Sequence, residues 1–336
     1  MAVSGRAQGG VYNDCSEWAV PFMKAIVITK HGSADGLSLQ EVATPVPQDN
    51  EVWVQVHVST VTAGDVILRK IGSSPLYWPG VRNLLRLPPR KTIPGHEFSG
   101  VVEAVGKQVS RFKPGDEVFG TTTGLTTGAN AESVVVPEDS ATGVLGVKPK
   151  DLTFEEAAAV PVGAMTALYL LREGGIQSGQ SVLIYGASGS VGTYALQLAK
   201  SFGAEVTAVC STANVELMRS LGADRVIDYT TEDFVRSGQT YDLVFDAVGK
   251  SPAARSKAAL KPGGRYVSIR SSTHESGDAL HFLTGLLETG QIKPVIDRCY
   301  PLEKTAEAHR YVEQGHKKGN VVITVLSENG EQACGP

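Results

Sequence analysis

Residues 181–212, SVLIYGASGSVGTYALQLAKSFGAEVTAVCST, decide the fold of this chain. Val182 to Tyr185 form an unbroken apolar run bounded by turn residues, which is typical of a parallel strand buried on both faces. After a Gly-rich turn, apolar residues recur along one helical face from Val191, and Gly203 ends the pattern. Val206 to Cys210 form a second apolar run. The stretch therefore predicts one strand–helix–strand unit.

The turn has the spacing of a dinucleotide-binding fingerprint, with Ala187, Gly189 and Gly192 in its three positions. Gly189 lets the backbone approach a pyrophosphate, and Gly192 lets helix and strand pack closely. The helix N-terminus offers free N–H donors to the phosphates. An ordinary strand-to-helix turn is the alternative interpretation. We predict a cofactor site that uses Gly186, Ala187, Ser188, Gly189, Ser190, Val191 and Gly192.

The end of the second strand indicates which nicotinamide cofactor binds. An NAD site commonly has Asp or Glu about twenty residues after the turn, where the carboxylate accepts hydrogen bonds from the ribose 2′-OH. This chain has Cys210, Ser211 and Thr212 there instead. With two hydroxyl donors and no carboxylate to repel a 2′-phosphate, the sequence predicts NADPH. Ala213 offers no cation to fix that phosphate, so the predicted preference is moderate and NADH stays an alternative.

Length, charge and cysteine usage narrow the class of protein. A chain of 336 residues can form two domains with separate cores. The net charge of −4 gives no general attraction to nucleic acid or to an anionic membrane. The four cysteines are scattered, which fits a reduced compartment better than a disulfide framework. The longest mostly apolar stretch, Ala157 to Leu171, is too short to span a bilayer. We expect a cytoplasmic protein that acts on a small molecule.

The order of strand and helix signals divides the chain. Short strand signals dominate from Lys24 to Val136. After Leu152 strands and helices alternate, which predicts a parallel sheet with helices on both faces and a ligand across its C-terminal strand ends. We predict a disordered extension at 1–22, a β domain at 23–150 and 292–327, a dinucleotide-binding domain at 151–291 and a tail at 328–336.

The chain carries six motifs in order: IPGHEFSGVVEAVG at 93–106, FKPGDEVFG at 112–120, AAAVPVGAMTA at 157–167, YGASGSVG at 185–192, LGADRVIDY at 221–229 and IKPVID at 292–297. Together they resemble the medium-chain dehydrogenase/reductase superfamily, in its zinc-free quinone oxidoreductase-like branch. The resemblance covers Met23 to Leu326 and implies a GroES-like β domain plus a Rossmann domain, an α/β fold with a doubly wound parallel sheet.

The resemblance also implies a reaction and a set of site residues. The active site of this family lies in the cleft between the domains, and the chemistry is hydride transfer from a nicotinamide, often to the β-carbon of an enone or to a quinone. By position, the resemblance implies cofactor contacts from Thr166, Val248, Ser268 and Ile269 on the nicotinamide side, from Ser211, Thr212 and Tyr229 near the adenosine, and from Asn320 at the closing edge of the cleft.

Residues 95–97, Gly-His-Glu, look like the motif in which zinc alcohol dehydrogenases bind their catalytic metal through His. A catalytic zinc needs three protein ligands and an open position. Thr62 stands where the first Cys ligand would be, and the four-cysteine structural zinc lobe has no counterpart between Val118 and Pro137. We therefore predict no metal.

Without zinc, hydrogen-bond donors or solvent must stabilise the developing oxyanion. We predict two catalytic residues: Thr62, contacting the substrate oxygen, and His96, donating a proton. The alternatives are a loop hydroxyl bonded to the backbone for Thr62 and a hydrogen-bonded cleft residue for His96. Asp65 is expected to fix the turn.

Two other segments bear on the substrate pocket. Only Thr273 to Asp278 separate YVSIRSS from ALHFL, where relatives have a helix and a sixth strand. This short link predicts a five-stranded Rossmann sheet, a more open pocket and an oligomeric state that does not follow from the family. Residues 71–90, rich in Leu, Pro and aromatic residues, predict an apolar wall of the pocket or a loop packed on the surface.

The leading hypothesis is an NADPH-dependent, zinc-independent oxidoreductase that transfers hydride to a quinone, an enone or a related activated carbonyl. One alternative is a zinc-dependent alcohol dehydrogenase, which requires His96 to find partner ligands. The other is a non-catalytic NADPH-binding protein, like the crystallins of this family. The sequence does not identify the physiological acceptor.

Overall fold

The computed structural model describes residues 22–71, 92–139, 142–236, 238–249 and 253–326. Its strands are β1 (Phe22–Ile28), β2 (Leu37–Ala43), β3 (Glu51–Thr60), β4 (Glu97–Val105), β5 (Glu117–Thr121), β6 (Ser133–Pro137), β7 (Val144–Val147), β8 (Ser181–Tyr185), β9 (Glu205–Cys210), β10 (Arg225–Asp228), β11 (Tyr241–Asp246), β12 (Leu260–Ser268), β13 (Ile296–Pro301) and β14 (Asn320–Thr324). Its helices are α1 (Ala63–Ile71), α2 (Phe154–Ala158), α3 (Pro161–Glu173), α4 (Ser190–Ser201), α5 (Val215–Ser220), α6 (Ala253–Ala258), α7 (Gly277–Glu288) and α8 (Thr305–Glu313).

The first half of the chain forms a mainly antiparallel sheet. Its seven strands include the path β13-β14-β3-β4-β5-β7, with β6 paired to β3, while β1 and β2 form a separate hairpin. Along β3, Val52, Val54 and Val56 are buried and alternate with more exposed residues, as expected for a strand with one face on the core. The last strand, β14, pairs antiparallel with β3, so the end of the chain returns to this sheet.

The second sheet is parallel and has the strand order β10-β9-β8-β11-β12. Val182, Leu183 and Ile184 of β8 are all fully buried, which fits a central strand covered on both faces. The order reverses between β8 and β11, and in open α/β sheets such a point marks the ligand crevice. The predicted Rossmann sheet of five strands is confirmed.

One hydrophobic cluster spans both sheets. Phe119 of β5 and Val144 of β7 pack in the same buried cluster as Leu168 of α3 and Leu283 of α7. The short link before α7 also reaches the antiparallel sheet, because Thr121 and Thr123 donate hydrogen bonds of 2.7 and 3.0 Å to the Glu275 carboxylate. These contacts fix the relative position of the two sheets.

Local sequence signals act where they were predicted. Thr153 caps α2 through its side chain and Glu156 returns a bond to the Thr153 backbone, completing the predicted capping box. Phe22 begins β1, and the rest of the predicted extension, like the predicted tail, lies outside the described residues. The domain boundaries stay predictions.

The structure also bears on the cysteines and on membrane-spanning helices. Cys210 is a free, buried thiol, whereas Cys299 is disulfide-bonded. In the described part of the chain, no helix is long and apolar enough to cross a membrane. The cytoplasmic location stays a prediction.

Packing at Gly192 predicts a measurable loss of stability. A Cβ added there would lie 2.3 Å from the Gly186 carbonyl oxygen and 2.7 Å from the Ala187 Cα atom. We therefore expect Gly192→Ala to lower the free energy of unfolding by about 1–3 kcal/mol in urea denaturation, because α4 must move away from the turn at Gly186 and Ala187. Gly189→Ala is the matched control, since its Cβ would meet only the Gly186 oxygen, at 3.8 Å. Equal losses in the two variants would contradict this account.

Candidate active site

The Gly-rich turn lies at the C-terminal end of β8 and opens α4. Gly186 has a φ of +77°, and a Cβ added to it would lie 2.5 Å from Val248 Cγ1, so the turn touches the end of β11. Gly189 is the N-cap of α4, and no side chain caps this helix. The first N–H groups of α4 are therefore available to an anionic ligand, as the fingerprint requires.

The predicted nicotinamide-side residues lie around this turn. Gly163 of α3 is so close to α4 that an added Cβ would lie 2.4 Å from Ser190 Oγ. Thr166, three residues later, is on the same face of α3. Buried Asp246 organises the neighbouring strand ends, because its carboxylate accepts from the Val248 N–H at 3.1 Å and its carbonyl accepts from the Ile269 N–H at 3.1 Å.

Ser268 and Asn320 are the other two residues predicted to contact the cofactor. Ser268 ends β12 and is buried. Asn320 is also buried, and its side-chain amide donates to the Val295 carbonyl at 3.2 Å. The preceding Gly319 N–H donates to the Ser188 carbonyl at 2.8 Å, which ties the end of the chain to the Gly-rich turn.

The predicted adenosine-side residues meet at the ends of β9 and β10. Asn214 donates to Ser188 Oγ at 3.1 Å and to Ser211 Oγ at 3.2 Å, linking the Gly-rich turn to the end of β9. Thr212 begins a short 3₁₀ turn after that strand. Tyr229 follows β10, donates its N–H to the Cys210 carbonyl at 3.0 Å, and leaves its side chain 53% exposed.

A carboxylate that sequence reasoning missed lies at this end of the site. Asp228 is paired with Cys210 across the parallel strands, and its Oδ2 accepts from Thr212 Oγ1 at 2.5 Å. The premise that no carboxylate lies near the second strand end is therefore wrong. The sequence signal was present, because parallel strands end at the same edge of a sheet and Asp228 directly precedes Tyr229 at the end of β10.

Thr62 and His96, the two predicted catalytic residues, meet on one buried carboxylate. Asp65 Oδ2 accepts from the Thr62 N–H at 2.8 Å and from Thr62 Oγ1 at 2.7 Å. Asp65 Oδ1 accepts from the Gly95 N–H at 2.8 Å and lies 2.7 Å from His96 Nδ1. Burial alone would raise the pKa of Asp65, but His96 and Thr62 hold it below its ordinary value. The carboxylate is therefore an anion.

This arrangement fixes which protons are available. A carboxylate anion only accepts, so His96 Nδ1 carries a proton toward Asp65. Within the described residues, no group bonds to His96 Nε2, and the side chain keeps 12% of its surface exposed. The Thr62 hydroxyl donates its one hydrogen bond to Asp65 and accepts a hydrogen bond from the Asp65 N–H at 3.1 Å. His96 can therefore exchange a proton with a molecule near Nε2. The hydrogen bonds of Thr62, in contrast, fix the position of the Asp65 carboxylate.

Glu97, next to His96, connects the two sheets. Its Oε2 accepts from Thr60 Oγ1 and its Oε1 accepts from the Val162 N–H, in the first turn of α3, both at 2.7 Å. Burial raises the pKa of Glu97 to about 7, against these two hydrogen bonds. Burial also lowers the pKa of Lys317 to about 8, and Glu97 partly offsets that effect. Glu97 thus joins β4 to α3 at the cleft.

A buried polar group behind Asp65 was also missed. His309 of α8 is fully buried, and neither ring nitrogen has a hydrogen-bond partner in the described structure. Burial lowers the pKa of His309 to about 4, although the Asp65 anion opposes that shift. Helical spacing could have placed His309 inside, because Thr305, Ala308 and Val312 share its buried face.

Two further predictions concern a metal ion and an apolar wall of the pocket. Within residues 22–71, 92–139, 142–236, 238–249 and 253–326, no three His, Cys, Asp or Glu side chains are grouped to hold a metal ion. The predicted apolar wall at 71–90 lies outside the described residues, apart from Ile71 at the end of α1.

Both halves of the chain match known protein families. Residues 48–166 match the family described as alcohol dehydrogenase GroES-like domain. Residues 190–287 and 270–323 match two families described as zinc-binding dehydrogenase. The antiparallel sheet and the parallel sheet thus each correspond to a known unit of one enzyme superfamily.

Individual relatives cover nearly the whole chain. The 2-methylene-furan-3-one reductase of Solanum lycopersicum is 35% identical, with 96% of this chain and 84% of that protein aligned. The chloroplastic NADPH-dependent alkenal/one oxidoreductase of Arabidopsis thaliana is 32% identical, with 96% and 85% aligned. The structure of the quinone oxidoreductase from Coxiella burnetii has a TM-score of 0.80 at 28% identity, covering 91% of this chain and all of that chain.

The buried Glu97 carboxyl is expected to make the unfolding free energy depend on pH. A pKa raised from 4.5 to about 7 means that the folded state binds this proton more tightly than the unfolded state. Stability is therefore lost as pH rises from about 4.5 to about 7, by on the order of 3 kcal/mol. We expect the unfolding free energy of Glu97→Gln minus that of the wild type to rise by this amount between pH 4.5 and 7.5.

Urea denaturation of both proteins at several pH values between 4.5 and 7.5 measures this difference in unfolding free energy. His309, with its pKa lowered to about 4, titrates in the opposite direction, and its contribution cancels because both proteins contain it. A difference that stays flat with pH would show that Glu97 does not carry the raised pKa.

Proposed function

This chain belongs to the medium-chain dehydrogenase/reductase superfamily, as an NAD(P)H-dependent oxidoreductase, and we propose that it reduces enones, quinones or related activated carbonyls without zinc. The substrate class is supported by its relatives, whose names describe a furanone reductase, an alkenal/one oxidoreductase and a quinone oxidoreductase. NADPH is the proposed cofactor, with NADH as a second one.

The residues at the Gly-rich turn fit a dinucleotide. The space at Gly189 is open, since a Cβ there would meet a single atom at 3.8 Å, and α4 begins without a side-chain cap. We propose that the N–H groups of residues 190–192 hold the pyrophosphate. The nicotinamide then lies toward Thr166, Val248, Ser268 and Ile269, and when bound it supplies the hydride.

His96 is the proposed proton donor. The Asp65 anion accepts from Nδ1, so in the protonated ring the second proton lies on Nε2, which has no partner in the described structure. A carboxylate behind an imidazole orients the ring and fixes which nitrogen carries the proton. Reduction of an enone leaves negative charge on the carbonyl oxygen and the α-carbon, and a positioned acid can supply the proton there.

The observation that carries the proposed zinc independence is the Thr62 hydroxyl, which donates to Asp65 at 2.7 Å. By the resemblance, Thr62 stands where zinc-dependent relatives have a cysteine ligand, so of these two positions only His96 could supply a metal ligand. A threonine hydroxyl is not a preferred zinc ligand, and a catalytic zinc needs three ligands. We propose that Thr62 positions Asp65, and through it His96, instead of contacting the substrate oxygen.

Turnover with a panel of acceptors tests the proposed function. We expect NADPH oxidation with an enone or an ortho-quinone, slower turnover with NADH, and no change when a chelator is added. Aldehyde reduction that the chelator abolishes would support the zinc-dependent alcohol dehydrogenase instead. Tight NADPH binding without turnover of any acceptor would support the non-catalytic binding protein.

A histidine substitution tests the proton donor. We expect His96→Gln to lower kcat for enone reduction about 100-fold, because a positioned acid contributes at least that factor. We also expect the fall of kcat that follows deprotonation of this acid in the wild type to be absent from the pH profile of the variant. His281→Gln is the matched control, since His281 is an exposed residue of α7. Measurement of kcat against pH for both variants tests whether His96 is the proton donor. An unchanged pH profile in His96→Gln would contradict the role, and thermal unfolding of the variant checks that it is folded.

A further inference from the structure

The Asp228 carboxylate is fixed by hydrogen bonds at the proposed adenosine end. Oδ2 accepts from Thr212 Oγ1 at 2.5 Å, and Oδ1 accepts from the Thr230 N–H at 2.9 Å and from Thr230 Oγ1 at 2.7 Å. The hydroxyl of Thr212, followed by that of Thr230, holds the pKa of Asp228 below its ordinary value, so the group is charged at neutral pH. A negative charge is thus held beside the end of β9.

These bonds also change what Thr212 can offer a ligand. The Thr212 hydroxyl has one proton, and it points to Asp228 instead of to a phosphate. Ser211 Oγ accepts from Asn214 and keeps its own proton. Of the two hydroxyl donors that favoured NADPH, one is therefore already used by a carboxylate.

The two oxygens of Asp228 differ in their partners. Oδ1 accepts from the Thr230 N–H and the Thr230 hydroxyl, whereas Oδ2 accepts from the Thr212 hydroxyl, and the Thr212 backbone also bonds the carboxylate. Oδ2 is the oxygen nearer the end of β9. A ribose 2′-OH can donate there, as it does to the acidic residue of NAD sites, whereas a 2′-phosphate carries about −1.5 to −2 charges and has no such proton.

We propose that Asp228 determines the cofactor preference of this enzyme: it accepts a hydrogen bond from the ribose 2′-OH of NADH and repels the 2′-phosphate of NADPH. The carboxylate comes from the end of β10, one strand away from the usual acidic position. The chain then uses both cofactors, and its NADPH preference is smaller than Ser211 and Thr212 alone predict. This inference rests on the proposed function, because it requires a dinucleotide at the Gly-rich turn.

The test compares Asp228→Asn with Glu232→Gln. Glu232 is an exposed carboxylate four residues further along the same loop, so its removal deletes an equal charge nearby. Dissociation constants for NADPH and NADH, and kcat/KM for each with one acceptor, are measured for both variants and the wild type. We expect Asp228→Asn to shift both ratios about tenfold toward NADPH, and Glu232→Gln to change them less than twofold.

Salt provides a second readout, and its first arm uses the wild type alone. Because Asp228 is partly exposed, its repulsion of a 2′-phosphate is screened, so raising the salt concentration should move the wild-type preference toward NADPH and leave Asp228→Asn less affected. Normal binding of both cofactors with an unchanged ratio in Asp228→Asn would overturn this inference alone. Failure of the wild type to bind either cofactor would overturn the proposed function and this inference with it.

Discussion

The buried negative charge of Asp65 is the constraint on which the proposed chemistry depends. A buried carboxylate is costly unless hydrogen-bond donors surround it, and Asp65 has donors from the Thr62 backbone, the Thr62 hydroxyl, the Gly95 backbone and His96. Gly95 meets this need with a φ of +99°, at a place where a Cβ would lie 2.6 Å from the Asn130 N atom. The same four bonds begin α1, shape the loop before β4 and orient the His96 ring.

The cleft is held by contacts that cross between the sheets. Glu97 binds Thr60 on one side and the first turn of α3 on the other, and Gly319 binds Ser188 in the Gly-rich turn. The proposed acid therefore belongs to the antiparallel sheet, while the proposed cofactor turn belongs to the parallel sheet. Their relative position depends on a few polar bonds and on the shared apolar core.

Local patterns predicted the fold well, because each depends on residues near one another in sequence. The apolar run of β8, the Gly-rich turn, the Thr153 capping box and the short link at 273–278 correctly indicated strands, caps and the strand number. Asp228 and His309 were missed because their surroundings come from residues distant in sequence: Thr212 in the turn after β9, and α1 packed on α8. The proposed roles of the site residues likewise depend on groups that meet only in the folded chain and remain predictions.

The most direct test of the central claim follows the hydride in protein of known metal content. The purified enzyme would be incubated with an enone and NADPH deuterated at the transferred position, its zinc content measured, and the product examined by NMR. The account predicts one deuterium at the β-carbon, one solvent proton at the α-carbon, and a rate independent of zinc content. A rate proportional to bound zinc, or a product without deuterium, would contradict it.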